Sequence, residues 1–132
     1  MTRGLDTNVL VRYLTQDDPV QARRANALID GTLATGGRCY VSVVVLCEIV
    51  WVLRGAYGFA RKAVVLTLDR ILETSGFLVE DRDFVRDALE EFRGGRGDFA
   101  DYLMGVRNRA AGCSTTVTFN RSLEGSELFS VL

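Results

Sequence analysis

The sequence predicts an α/β fold with a mainly parallel sheet, and two observations lead to this prediction. Short apolar runs alternate along the chain with longer segments whose apolar residues recur at helical spacing. With 132 residues, 48% of them hydrophobic, and a single proline, the chain is long enough to bury a sizeable core. We therefore expect one α/β domain that spans residues 1–132.

The first half of the chain is expected to contain two strands and three helices. RGLD is predicted to be a very short strand that ends at Asp6. Asp18 is a suitable N-cap with Pro19 at the first helical position, and Ser42 can cap the next helix, although its opening VVV would also suit a strand. The expected elements are a strand at 3–6, helices at 7–14 and 19–34, a strand at 38–42 and a helix at 43–55.

The second half repeats this alternation. Apolar residues at helical spacing precede Gly76, Asp81 can cap the next helix, and Gly112 follows the last one. The expected elements are a helix at 59–75, a strand at 77–80, helices at 83–95 and 98–111, and a strand at 113–119. Because the carboxyl ends of parallel strands meet at one edge of a sheet, functional residues are expected at that edge.

Composition narrows the classes of function. The chain has 16 basic and 17 acidic residues and a net charge of −1, so any nucleic-acid binding must be local. The chain has no histidine, which argues against a zinc site. Cys39, Cys47 and Cys113 lie among apolar residues and are expected to be small buried side chains. The chain lacks a signal-peptide pattern and a membrane-spanning run, which predicts a cytoplasmic protein.

Four acidic residues lie beside or within apolar segments, where a charge needs an explanation: Asp6, Glu48, Asp98 and Asp101. Asp6 and Asn120 end the first and last predicted strands, which places them at one edge of the sheet, although Asp6 could simply cap a helix. Glu48 lies within the apolar run VVVLCEIVWVL, so we expect it to be buried and to need either a metal or an ion pair with Arg12 or Arg54.

The other two acids occur in GDFADYLM. Asp98 and Asp101 are three residues apart and project from one helix face, although an N-cap is the simpler role for Asp98. Convergent carboxylates repel each other unless a cation lies between them, and oxygen ligands without histidine or cysteine indicate Mg²⁺ or Mn²⁺. Such an ion suits the hydrolysis of a phosphodiester bond.

Four motifs resemble those of the PIN-domain nucleases, in particular the VapC-like toxins of bacterial toxin–antitoxin pairs. In chain order they are LDTNVLVRYL, VLCEIVWVL, DFADYLM and TVTFN. The resemblance implies a three-layer α/β/α sandwich with a mainly parallel central sheet. It also implies an endoribonuclease that depends on Mg²⁺ or Mn²⁺, forms a homodimer and is inhibited by a small antitoxin protein.

The resemblance also assigns roles to single residues. The metal ligands would be Asp6, Glu48 and Asp101, with Asp98 as a nearby acid. Thr7 and Asn8 would order the first motif, and Thr118 would help to place water or phosphate. Asn120 departs from the family, because a fourth acid is usual at its position.

Two alternative functions compete with this interpretation. A phosphoacceptor domain would need a second acid beside Asp6 and a lysine after a late strand, whereas the single lysine, Lys62, lies in a predicted helix. A PIN-fold module that binds RNA or protein but has weakened catalysis stays open because of Asn120. Self-association is expected mainly from the resemblance, with support from the apolar side chains of Trp51, Tyr57 and Phe59, although ordinary core packing is the simpler explanation for each of these.

Overall fold

Four helices and a three-stranded parallel sheet make up the first part of the chain. The computed structural model describes residues 1–132 and divides them into two compact units, Met1–Glu80 and Asp81–Leu132. In the first unit the strands are hydrogen bonded in the order β1-β2-β3. Its elements are β1 (Thr2–Gly4), α1 (Thr7–Thr15), α2 (Pro19–Ala34), β2 (Arg38–Val41), α3 (Val43–Gly55), α4 (Arg61–Glu73) and β3 (Phe77–Val79).

Two helix starts in this unit are set by the side chains that the sequence indicated. The Asp18 carboxylate accepts a hydrogen bond of 3.0 Å from the backbone N–H of Gln21 at the start of α2. The Ser42 hydroxyl accepts one of 3.3 Å from the backbone N–H of Val45 at the start of α3. These caps satisfy backbone donors that have no partner within the helix, and the predicted helices at 19–34 and 43–55 are confirmed.

The core of the first unit is formed by one face of each helix and by the sheet. On α3 the side chains of Leu46, Ile49 and Leu53 are fully buried because residues three or four apart share a helix face. The adjoining sheet contributes Cys39 and Val41 of β2, which are also fully buried. The alternation of buried and less buried residues in β2 is that of a strand with one face against the core.

The second unit is built from two packed helices and a small parallel sheet. Its elements are α5 (Arg82–Gly94), α6 (Phe99–Ala110), β4 (Thr116–Thr118), a short 3₁₀ helix (Arg121–Leu123) and β5 (Phe129–Val131). Phe92 of α5 and Phe99 of α6 are fully buried and meet edge to face, with ring centroids 6.2 Å apart. The prediction of parallel strands alternating with helices is confirmed in both units.

The last predicted strand differs from the prediction in partner and length. It was expected at 113–119 in one sheet with the first strand, but β4 covers only Thr116–Thr118 and pairs with β5. The sequence analysis missed β5 because FSV is too short to show a period. Since parallel pairing depends on long-range contacts, a three-residue partner strand cannot be located from the local pattern.

Two smaller expectations were also wrong. Cys39 is buried, but Cys47 is half-buried and Cys113 is exposed, because Cys113 falls in the turn after α6. Asp81 precedes α5 but does not cap it with its side chain: its φ is 49°, and its carboxylate lies 3.5 Å from Arg107 Nε. No helix of the chain combines the length and the apolar character that a membrane crossing requires.

Candidate active site

Asp6 stands between β1 and α1, at the start of the helix. Its backbone is extended, with φ −76° and ψ 156°, which is the conformation of an N-cap residue. Asp6 thus stands at the N-cap position, but the alternative that its side chain simply caps the helix is wrong, because the carboxylate makes no capping hydrogen bond and is exposed. The partial positive charge of a helix N-terminus favours a carboxylate at this point. Asp6 thus offers both oxygens for a ligand.

Thr7, the first residue of α1, reaches α3. Its side chain is buried, and its hydroxyl donates a hydrogen bond of 2.9 Å to Oε1 of Glu48. The two residues are separated by 41 positions in the sequence. Since Thr7 follows Asp6 directly, this bond brings the second predicted metal ligand to the end of α1 that carries the first.

Glu48 is exposed, so the prediction that it is buried was wrong. The apolar residues around it in the sequence lie on other faces of α3, while Val44, Glu48 and Trp51 share the exposed face through spacings of four and three. The Glu48 carboxylate contacts the neutral hydroxyl of Thr7 rather than Arg12 or Arg54. Its charge is therefore not neutralised by an ion pair.

Asp98 and Asp101 begin α6 in the second unit. Asp98 occupies the N-cap position, as predicted, and its backbone N–H donates a hydrogen bond of 3.2 Å to Oδ2 of Asp101. This bond is the half of a capping box in which the side chain at the third helical position accepts from the backbone of the N-cap residue. Asp98 is exposed and Asp101 half-buried. Asp101 therefore has a structural role through one oxygen, and its second oxygen can accept another partner.

Asn120 caps the short 3₁₀ helix. Its Oδ1 accepts hydrogen bonds from the backbone N–H of Ser122 at 3.0 Å and from the Ser122 hydroxyl at 2.6 Å. Its own backbone N–H donates to the hydroxyl of Thr118 at 3.0 Å. The part of Ser122 in this turn was not predicted, although an Asn side chain commonly hydrogen bonds to the backbone two residues on.

A second cluster that the sequence analysis missed lies at the other end of α1. Arg12 Nη1 lies 3.2 Å from Oδ1 of Asp17 and donates a hydrogen bond of 2.8 Å to the Tyr57 hydroxyl. Tyr57 in turn donates to Oδ2 of Asp17 at 2.6 Å. The hydrogen bonds from Tyr57 and Thr15 lower the pKa of Asp17 to about 2. These residues are too far apart in sequence to form a motif.

The structure brings together three pairs of the predicted site residues. Thr7 meets Glu48 in the first unit; Asp98 meets Asp101, and Thr118 meets Asn120, in the second. No group of three or more His, Cys, Asp or Glu side chains is placed to hold a metal ion. That the carboxylates of both units form one metal centre stays a prediction.

The donor chemistry of the first unit fits a hard divalent cation. Mg²⁺ takes oxygen ligands, keeps several waters and is often bound through only one or two carboxylates together with substrate phosphates. Asp6 and Glu48 supply carboxylates that are exposed and carry no ion pair. Asn8, also in the first motif, is exposed as well.

Comparison with known proteins places this arrangement in a family. The chain is similar to a VapC ribonuclease of Aquifex aeolicus (strain VF5), with 26% identity over 117 residues that cover 89% of this chain and 86% of the relative. The profile of the PIN domain matches residues 5–124, a span that includes every predicted site residue from Asp6 to Asn120. The chain therefore belongs to the PIN domain family.

Proposed function

We propose that this protein is an endoribonuclease that hydrolyses phosphodiester bonds of RNA with Mg²⁺ or Mn²⁺, and that it is the toxin of a toxin–antitoxin pair. The observation that carries the proposal is the similarity to a VapC ribonuclease over nearly the whole chain. The exposed carboxylates of Asp6 and Glu48, joined through Thr7, give it a chemical basis.

The proposed roles follow from the positions of the side chains. Asp6, Glu48 and Asp101 would be the metal ligands, and Asp98 would add negative charge beside Asp101. When bound, the ion would activate water and neutralise charge that develops on the phosphoryl group. Thr7 and Asn8 would order the first motif beside Asp6, and Thr118 would help to place water or phosphate.

The substrate and partners belong to the same proposal. All but one of the 16 basic residues are arginines, whose planar guanidinium group suits phosphate. Because the net charge of −1 does not attract RNA, these arginines would bind it locally. A cytoplasmic location, a homodimer and inhibition by a small antitoxin complete the proposal. Exposed apolar side chains outside the site, among them Val20 and Leu66, are candidates for contact surfaces.

Two of the three aromatic residues expected to favour self-association pack against each other within the first unit. Tyr57 and Phe59 are half-buried and meet edge to face, with ring centroids 6.2 Å apart. Trp51 is 80% exposed and remains available for a partner. Its position one turn from Glu48 would place that partner beside the proposed site.

A weakened binding module is the second candidate, and Asn120 favours it. The amide oxygen of Asn120 already accepts two hydrogen bonds from Ser122, and an amide carries no charge to attract a cation. Such a module would bind RNA without turnover.

The experiment that tests the proposal is cleavage of a mixed single-stranded RNA pool at several Mg²⁺ and Mn²⁺ concentrations. The parent should cleave only with metal, and Asp6→Asn should lose at least two orders of magnitude of activity, because removal of a charged ligand weakens both metal binding and water activation. Circular dichroism should show an unchanged fold, since the Asp6 carboxylate makes no capping bond. Equal cleavage by Asp6→Asn would reject the assignment of Asp6, and binding without cleavage by the parent would favour the module.

A further inference from the structure

Thr7 differs from the other helical threonines in where its hydroxyl is directed. The hydroxyls of Thr15, Thr32 and Thr67 each lie within hydrogen-bond distance of the carbonyl four residues earlier in their own helix, at 2.7 to 2.9 Å, and that of Thr15 also lies 2.7 Å from Oδ1 of Asp17. This local bond is the usual way in which a helical hydroxyl is satisfied. Thr7 is the first residue of α1, so no preceding turn offers such a carbonyl, and its hydroxyl bonds to Glu48 instead.

The bond has the geometry of a support for the carboxylate. Thr7 is only 7% exposed, and its β-branched side chain has few rotamers, so the donor is fixed. Glu48 is exposed, and a glutamate in water otherwise samples several rotamers. The hydroxyl donates to Oε1 alone, which leaves Oε2 and a lone pair of Oε1 for another ligand.

We propose that Thr7 is a positioning residue: its hydroxyl holds the Glu48 carboxylate in the rotamer that binds a divalent cation together with Asp6. This inference rests on the proposed function and deepens it, because it names the group that orients one ligand. A side chain that hydrogen bonds a metal ligand restricts its orientation, and loss of such a partner typically weakens metal affinity roughly 10- to 100-fold.

The competing explanation is that Thr7 only stabilises the fold. A matched control is available, because a second hydrogen bond joins α1 to the chain just after α3. Tyr57, two residues after α3, joins Arg12 of α1 through its hydroxyl at 2.8 Å. Tyr57→Phe removes a hydroxyl that ties α1 to the α3 region, as Thr7→Val does, but it touches neither Asp6 nor Glu48. If Thr7 acted only through stability, the two variants would affect metal binding alike.

The test uses the full chain and Mn²⁺ as the probe, titrated by calorimetry and by the loss of the free-ion electron paramagnetic resonance signal. Thr7→Val should raise the Mn²⁺ dissociation constant roughly 10- to 100-fold. Thr7→Ser, which keeps the hydroxyl, should restore most of the affinity, and Tyr57→Phe should leave it within about twofold. Circular dichroism identifies a variant that fails to fold, and Thr7→Ala, which also removes the hydroxyl, replaces Thr7→Val in that case.

A second readout does not depend on metal or cleavage. Crystal structures of the metal-free parent and of Thr7→Val should show Glu48 in different rotamers. If the parent binds Mn²⁺ and Thr7→Val binds it equally well, the positioning role is overturned and the proposed function stands. If the parent binds no Mn²⁺, the proposed metal dependence fails, and an unchanged Glu48 rotamer in Thr7→Val overturns the positioning role independently.

Discussion

At the scale of single residues, the candidate site depends on which carboxylates already have hydrogen-bond or ion-pair partners. Asp17 has its oxygens engaged by Arg12, Thr15 and Tyr57, whereas Asp6 makes no capping bond. In the sequence, each of these two acids stands beside a helix terminus. The hydrogen-bond partners separate a structural carboxylate from one that is available to a ligand.

Replacing Asn120 by aspartate tests the effect of a charge at this position, because the two side chains have nearly the same shape. Asn120→Asp keeps an oxygen that can accept both hydrogen bonds from Ser122, so the turn should be retained. If Asn120 lies near the metal, the added charge should tighten Mn²⁺ binding and raise RNA cleavage, each several-fold, because a carboxylate attracts a cation more strongly than an amide dipole does. Calorimetry and initial cleavage rates measure the two effects.

Ser122→Ala is the control for this substitution, because it removes the hydroxyl at 2.6 Å from Asn120 without a change in charge. It should leave Mn²⁺ affinity nearly unchanged. An Asn120→Asp protein that folds normally but binds Mn²⁺ no better than the parent would place residue 120 outside the metal shell.

At the scale of elements, α1 is attached to the rest of the first unit at both ends. Thr7 bonds to Glu48 near its start, and Arg12 bonds to Tyr57 and Asp17 near its end. Because α1 begins directly after Asp6, any movement of this helix would displace the first predicted ligand relative to the second. The cluster around Tyr57 is thus part of what fixes the scaffold, although it makes no contact with Glu48.

The lowered pKa of Asp17 predicts how this attachment responds to acid. The pKa is about 2 in the folded chain against 3.8 for the unperturbed group, mainly because Tyr57 and Thr15 donate hydrogen bonds to the ionised form. A carboxylate with a depressed pKa stabilises the folded state above pH 3.8, and this contribution is lost as the pH falls from 3.8 through 2.

The measurement is chemical unfolding of the parent and of Asp17→Asn at pH 6, above both pKa values, and at a series of pH values from 3.8 down to about 2. The parent should be the more stable protein at pH 6, and the difference between the two should shrink across the acid range. Asp30→Asn, whose carboxylate accepts a longer bond of 3.3 Å from Tyr13, is a matched control in the same unit. A stability difference that does not depend on pH would show that the bonds to Asp17 do not depend on its charge.

At the scale of the whole molecule, the predicted site residues are divided between the two compact units. Met1–Glu80 carries Asp6 and Glu48, and Asp81–Leu132 carries Asp98 and Asp101. The PIN domain match runs from residue 5 to residue 124 and so includes parts of both. A cation bound by the carboxylates of Asp6 and Glu48 should stabilise the folded chain, because a ligand that binds only the folded state favours it by mass action.

Thermal unfolding with and without metal tests this expectation. A ligand that binds only the folded state stabilises it by about 2.7 kcal/mol at a concentration 100 times its dissociation constant, which corresponds to a rise of several degrees in Tm. Mn²⁺ should give such a rise in the parent and a much smaller one in the double variant Asp6→Asn, Glu48→Gln.

Sodium chloride at equal ionic strength separates specific binding from general screening of the carboxylates. Relief of carboxylate repulsion should also make the metal-free double variant at least as stable as the metal-free parent. The absence of a Tm shift with either Mn²⁺ or Mg²⁺ in the folded parent would reject the metal centre.

The sequence by itself determined the elements whose causes are local. Helices α2 and α3 begin at Asp18 and Ser42 because a side-chain cap depends on residues three positions apart, and the parallel α/β class follows from the alternation of strand and helix patterns. The four motifs also led to the PIN domain family, which the match over residues 5–124 confirms.

The tertiary structure decided what depends on partners distant in sequence. The exposure of Glu48 follows from which face of α3 packs on the core, and its bond to Thr7 crosses 41 positions. The pairing of β4 with β5 and the cluster of Arg12, Asp17 and Tyr57 arise in the same way. Helical periodicity groups residues into faces but does not say which face meets which, because that choice is made by packing between elements.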